Sequence, residues 1–356
     1  MTSPNRQGLV RPMSHKTYFY LGSVIHQCLD LMAQGKFDPI SSLDAVFKSE
    51  IDAYEKQYEA AIGVPFSIAE REIFDEPKEL AKSMVEMYFE HYETNSYRTP
   101  GRGEGTLGPN FSYIHSELTF SIPIPELPEG CNFRGTLDGI ARNNETGHYW
   151  IVEHKTYQRP PNLNNLLLDD QFRCYQWAFK QLTGNLARGI IYDGLLKKAP
   201  TVPHLLKNGT MSRREIDTTV NVYYQALRNA GLDPEDYEDV LERLEAKETS
   251  SEHPFFDRHF ITISESSLVE TELLIQSLYL DMSEPDVLLY PNRPFSGCYD
   301  CTVRPICDAR TMGDDVEAAA ANYIIGEPYG TFNATDPVTP SSGFTLSTTP
   351  LYLRQA

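Results

Sequence analysis

Apolar residues recur three and four positions apart from Thr17 to about Phe89, through GSVIHQCLDLMA, SSLDAVFKSEIDAYEKQYEAAI and KELAKSMVEMYFEHYE. That spacing predicts a run of amphipathic helices. The glycine- and proline-rich stretch TNSYRTPGRGEGTLGPN then predicts a loop. After it the period changes to two. HSELTFSIPI alternates, CNFRGTLDGIAR is rich in extended formers, and HYWIVEHKT follows the polar turn NNETG, so three strands in an antiparallel meander are expected. LLLDDQFRCYQWAFKQLTG returns to helical spacing and stops at Gly184, and ARGIIYDGLL reads as a short strand.

Helix, three strands, helix and strand make a small mixed α/β sheet with helical cover. Beyond it, SRREIDTTVNVYYQALRNAG and PEDYEDVLERLEAK read as surface helices, DRHFITIS as an edge strand, and SSLVETELLIQSLYLDMSE as a long helix. From about Gly326 the chain turns to Thr, Ser, Pro and Gly without an apolar period, which predicts a disordered tail over 327–356. No internal repeat is present.

The 356 residues, 40% hydrophobic and 23% charged, suffice for a substantial core. No run approaches the roughly 18 apolar residues that span a bilayer, and no signal-peptide core follows the first charges, so a cytoplasmic protein with no membrane partner is expected. A net charge of −19 argues against polybasic, non-specific DNA binding. Its distribution changes that picture. From Lys155 to Arg214 ten basic residues, among them Arg173, Lys180, Lys197, Lys198, Arg213 and Arg214, stand against three acidic ones, a balance of +7 that leaves −26 for the rest. This stretch is the place for a polyanion such as DNA, or else a solvated face of uneven charge.

Asp138 falls in the second strand of the meander, and Glu153, His154 and Lys155 near the end of the third. Residues two apart on a strand share a face, so Glu153 and Lys155 point one way and His154 the other. If the strands pair, Asp138 lies beside Glu153. Two carboxylates 4 Å apart repel by about 4 kcal/mol at an effective dielectric of 20, and a hard divalent cation, magnesium or manganese, removes that cost. Such an ion with a lysine alongside suits phosphodiester hydrolysis. A bare D...E-x-K is also what a surface ion pair looks like. Two further pairs add to it: Gly22 and His26, and Gln171 and Tyr175, each one helical turn apart. An interior His26 and a Tyr175 that only packs are the structural alternatives.

The order G-x-x-x-H, GTLDGI, IVEHKT, QFRCY resembles the PD-(D/E)XK nuclease superfamily, and within it the RecB-like branch that includes CRISPR-associated iron-sulfur exonucleases. The resemblance implies a restriction-endonuclease-like core with added helices, within a single nuclease domain over 17–312. It implies His26, Asp138, Glu153 and the His154 carbonyl as metal ligands, Lys155 as the catalytic base or its positioner, and Gln171 and Tyr175 as accessory residues. The implied substrate is DNA, single-stranded or with free ends, with Tyr175, Trp177 or Tyr192 available to stack bases. Relatives occur in CRISPR adaptation, recombinational repair and phage genomes, and recombination, repair or CRISPR adaptation proteins are the implied partners. The reading of a different class is a non-catalytic DNA-binding or assembly subunit that keeps the fold.

Cys298, Cys301 and Cys307 follow as C-x2-C-x5-C, soft ligands that select zinc or an iron-sulfur cluster and need a fourth ligand from afar. In the same branch such a triplet joins an N-terminal cysteine around a 4Fe-4S cluster, which implies a staple between the two ends of the domain. Here no cysteine precedes Gly22, and the nearest is Cys28. A helix turns about 200° in two residues, so Cys28 lies opposite His26. That suits a ligand outside the cleft and equally a buried thiol. An incomplete cluster, zinc, or a chain that starts after the missing cysteine are the other readings, and a zinc-binding scaffold is the third functional class. Cys131 and Cys174 read as ordinary buried thiols.

Overall fold

The computed structural model describes residues 9–10, 17–38, 41–92, 107–108, 110–214, 216–249, 253–283, 298, 301, 303–321 and 323–325. The expected tail at 327–356 and most of the expected loop at 94–110 lie outside them. A two-residue strand β1 (Leu9–Val10) is followed by four helices, α1 (Thr17–Ala33), α2 (Ser42–Ile62), α3 (Ile68–Glu72) and α4 (Asp75–Tyr92). The meander is β2 (Phe111–Pro123), β3 (Asn132–Asn143) and β4 (Tyr149–Tyr157). A short α5 (Leu163–Leu166) leads into α6 (Asp170–Thr183) and then β5 (Gly189–Leu196). Next come α7 (Val220–Asn229), a 3-10 turn at Pro234–Tyr237, α8 (Glu238–Thr249), β6 (Phe256–Thr262) and α9 (Ser267–Ser283). The last described elements are α10 (Arg304–Met312), α11 (Val316–Ala320) and β7 (Ile324–Ile325).

β2 to β6 form one sheet in the order β2-β3-β4-β5-β6. The meander pairs are antiparallel, β4 and β5 run parallel because α6 crosses between them, and β6 closes the edge antiparallel to β5. Local signals set the crossover helix. The Asp169 carboxylate accepts from the Gln171 amide at the start of α6, and Gly184, left-handed at φ 73°, ends it.

The sheet is covered on both faces, so alternate residues of β4 and β5 enter different cores. Ile151 and Ile190 pack with Phe172, Trp177 and Ala178 of α6 and Leu268 and Ile275 of α9. Val152 and Ile191 turn to the other side, where Ala141, Tyr113 and Trp150 lie. On that same side Leu195 joins the core of α1, α2 and α4. A separate cluster whose buried members fall between Met211 and Leu244 holds α7 and α8.

Two features differ from the pattern reading. Residues 212–214 and 216–219 are not helical; α7 starts at Val220, capped by the Thr219 side chain. β1 and β7 pair antiparallel, Leu9 with Ile325 and Val10 with Ile324, and strands of two residues carry no period to read. Among the described residues no helix is long and apolar enough to cross a membrane.

Candidate active site

The sheet opens at Asp138. The β3–β4 ladder ends at Gly139 and Val152, one residue short of Asp138 and Glu153. On the other side β2 pairs Ser116 with Gly139 and Leu118 with Leu137 but skips Glu117 and Asp138. Glu117 sits there at φ 48°, a left-handed backbone that an L-residue adopts at a cost of roughly 1–2 kcal/mol. Asp138 is thereby freed from both neighbours. Its Oδ2 accepts from the His154 amide at 2.8 Å, and its Oδ1 lies 3.5 Å from Nδ1 of His26 on α1. Gly139 has a steric reason: a Cβ there would stand 2.8 Å from the Tyr113 ring and 3.2 Å from Cβ of Val152.

Glu153 and Lys155 share a face of β4, and their side chains meet at 2.5 Å. Lys155 Nζ also donates to Oε1 of Gln171 at 2.9 Å, and Nε2 of Gln171 donates to the Tyr175 hydroxyl at 2.8 Å. The spacing of Gln171 and Tyr175 thus does what one helical turn allows, holding a lysine that belongs to the neighbouring strand. His154 points the other way, with Nδ1 3.0 Å from the Asp193 carboxylate.

Burial and mutual repulsion dominate the charges. Burial and then the Asp138 charge push Glu153 up to about 7, and the same two causes push Glu117 up to about 7. Burial alone would raise Asp138, but the hydrogen bond and charge of His26 hold it below the usual aspartate range. His26 answers in kind: burial lowers its pKa, and Asp138 outweighs that and raises it. Glu153 Oε2 is buried with no hydrogen-bond partner among the described residues. Ligand atoms of His26, Glu117 and Asp138 all lie within 4.8 Å of one another. Two carboxylates and an imidazole so grouped fit a hard divalent cation, with the imidazole favouring manganese, and Glu153 on the adjoining strand stands outside that group of three.

The residue pattern does not single out Glu117. In HSELTFSIPI the residues Leu118, Phe120 and Ile122 alternate inward, so Glu117 reads as a solvent-facing polar position; it is indeed exposed, and what the residue types do not signal is the irregularity that brings its carboxylate toward His26 and Asp138.

The basic stretch does not form one stripe. Lys180 lies roughly 14 Å along α6 from Gln171 and pairs with Glu265 at 2.7 Å. Arg173 pairs with Asp170, Lys198 with Asp217 and Arg213 with Asp239. Lys197 and Lys198 do follow β5 at the end of the sheet that carries Lys155, where the Lys197 amide donates to the Tyr157 carbonyl. Trp177 and Tyr192 are buried and cannot stack on bases: the Trp177 indole donates to Glu272, and Tyr192 lies in a strand covered on both faces.

Cys28 is a core thiol. It is fully buried among the helices of the N-terminal layer, and burial pushes it up to about 12. Cys298, Cys301 and Cys307 are half-buried free thiols, and among the described residues no group of three metal-ligating side chains includes a cysteine. Of the two readings open for Cys28, the structure shows the buried thiol, because the apolar face of α1 takes it inward. Cys131 is buried beside the Tyr279 hydroxyl at 2.8 Å, and Cys174 is half-buried.

The sequence profile of the PD-(D/E)XK nuclease superfamily matches residues 6–308. The chain belongs to the PD-(D/E)XK nuclease superfamily. A search among curated proteins finds no match. Superfamily members are typically phosphodiesterases that use a divalent metal and act on nucleic acid, and the five-stranded mixed sheet flanked by helices is consistent with a PD-(D/E)XK core. The match takes in every residue of the fork at Asp138.

Proposed function

We propose that the chain is a metal-dependent deoxyribonuclease that hydrolyses phosphodiester bonds, working as an exonuclease on single strands or free ends. The observation that carries this reading is the fork itself: Asp138 and Glu153 stand where the strands part, with Lys155 bound to both Glu153 and Gln171. Gly22 with His26 and Gln171 with Tyr175 support the RecB-like branch of the superfamily.

His26, Glu117, Asp138 and Glu153 are the side chains that would hold magnesium or manganese, with the His154 carbonyl as a further oxygen donor. The ion supplies Lewis-acid polarisation of a phosphoryl oxygen and a more acidic water. Lys155 orients the attacking water and offsets charge gathering on the phosphoryl oxygens. Gln171 fixes the ammonium group against Glu153, and Tyr175 fixes Gln171. The Asp169 carboxylate caps the start of α6, the helix from which Gln171 reaches Lys155. Lys197 adds positive charge at the same end of the sheet.

Labelled single-stranded and duplex DNA incubated with manganese or magnesium tests the reading. The native chain is expected to shorten labelled strands from their ends, and Asp138→Ala and Lys155→Ala to abolish this. Cleavage that survives both substitutions sinks the site, and DNA binding without cleavage by the native chain favours the non-catalytic subunit.

A further inference from the structure

Away from the fork, the unit built on α7 and α8 encloses a pocket of about 250 Å³. Its floor is apolar, with Val240 and Leu244, and its wall carries Arg214, Arg243 and Lys247. Arg213 also lines it, paired with Asp239, whose other oxygen lies 3.9 Å from Arg243. Arg214, Arg243 and Lys247 add basic side chains to the same lining. Thr218 lines the same space, is only 2% exposed, and its hydroxyl has no hydrogen-bond partner among the described residues. A buried hydroxyl left unpaired costs about 1–3 kcal/mol, so a ligand atom that reaches Thr218 gains a hydrogen bond that no described residue supplies.

The pocket is tied to the end of the sheet that carries Lys155. The Lys197 amide donates to the carbonyl of Tyr157, two residues past Lys155. Lys198 pairs with Asp217, and the Thr201 amide donates to the Asp217 carbonyl, next to Thr218. At about 250 Å³ the pocket lies just below the roughly 300 to 1,000 Å³ of small-molecule sites, so it has room for no more than one nucleotide.

We infer that the pocket holds one nucleotide of a bound strand, its phosphate on Arg214, Arg243 and Lys247 and within reach of the Thr218 hydroxyl, its apolar parts on Val240 and Leu244. The inference rests on the nuclease reading and deepens it, since it assigns a second contact to the substrate strand.

Anisotropy of a fluorescent oligothymidylate with the full chain in EDTA, where cleavage is suppressed, tests it. Thr218→Val keeps shape and removes only an unpaired hydroxyl, so its melting temperature is expected to be unchanged or higher while affinity falls about threefold to tenfold. Arg214→Ala should weaken binding and reduce the slope of log affinity against log salt by slightly under one. Thymidine monophosphate should compete with the oligonucleotide on the native chain and lose that ability on Arg214→Ala. Native affinity and salt slope in both variants would overturn the inference, as would competition by inorganic phosphate but none by the nucleotide. Hydrolysis of bis(p-nitrophenyl) phosphate with manganese reports on the fork alone. Its absence, with pocket-dependent binding intact, would remove the nuclease reading and keep the pocket.

Discussion

Nδ1 of His154 lies 3.0 Å from Oδ2 of Asp193, on the face of β4 opposite Glu153 and Lys155. Asp193 is fully buried and also accepts from the Tyr88 hydroxyl at 2.6 Å and from Nε of Arg258 at 2.7 Å. Burial alone would raise its pKa, but Arg258 and then His154 hold the carboxyl well below the usual range. The active strand is thus backed by a closed polar network. Asp193→Ala should cost roughly 3 kcal/mol in urea unfolding, because it removes the fully buried carboxylate that the half-buried Arg258, the Tyr88 hydroxyl and His154 share. Replacing both Asp193 and Arg258 by apolar residues of similar volume should cost less than the single change. A single variant that unfolds like the native chain would show that the pair carries no weight.

Lys155, Gln171 and Tyr175 form a hydrogen-bonded chain, and in the proposed mechanism only the lysine faces the reacting groups. Cleavage rates should therefore fall in that order. Lys155→Met should lose about 10²–10⁴-fold, as for removal of a proton-handling group. Gln171→Ala should lose on the order of tenfold, and Tyr175→Phe less, as orienting partners do. Manganese affinity, read by electron paramagnetic resonance, should stay near native in all three. A Gln171→Ala loss as large as that of Lys155→Met would place Gln171 on the substrate itself.

Long periodic segments made the core legible. The meander, α6 with its stop at Gly184, and the edge strand β6 each have enough residues to show a period, and strand alternation alone separates His154 from Glu153 and Lys155. Helical rotation likewise sets Cys28 against His26, but rotation says which way a side chain faces and not whether solvent or another helix waits there. For Cys28 it is another helix. Trp177 and Tyr192 were open to the same ambiguity: aromatic character suits stacking and core equally, and their neighbours Phe172, Ala178 and Ile190 enclose them. Glu117 was illegible for a different reason. Its position depends on a break in pairing between two strands, which the residue types do not encode.

Glu153 should make the metal-free protein less stable as pH rises. Its folded pKa, about 7, lies above the ordinary 4.5. The folded state therefore holds the extra proton between those values, and its contribution is full below about 4.5 and lost as pH rises through 7. Relative to Glu153→Gln, which has nothing to ionise, the native chain in EDTA should lose on the order of 3 kcal/mol across that window. Metal binding needs the carboxylate free of its proton, so manganese affinity should climb over the same range and then level off. Thermal unfolding of both proteins at a series of pH values, with manganese titrations alongside, checks this; parallel stability curves would contradict it.

Glu117 couples strain to the site. Its φ of 48° suits glycine, while its carboxylate stands with His26 and Asp138 in ligand distance of one another. Glu117→Gly should then do two opposite things. At pH 5, where the carboxyl is protonated because burial and Asp138 push it up to about 7, removing the strained side chain should stabilise the EDTA-treated protein by about 1 kcal/mol. At pH 8 the same variant should bind manganese about tenfold more weakly. Glu117→Gln keeps the strain and loses the charge, so it should show the weaker binding without the gain in stability. Urea unfolding and manganese titration on the two variants separate these effects. If Glu117→Gly gains no stability, the left-handed backbone costs nothing. If it binds metal as the native chain does, the break in β2 serves some purpose other than presenting a ligand.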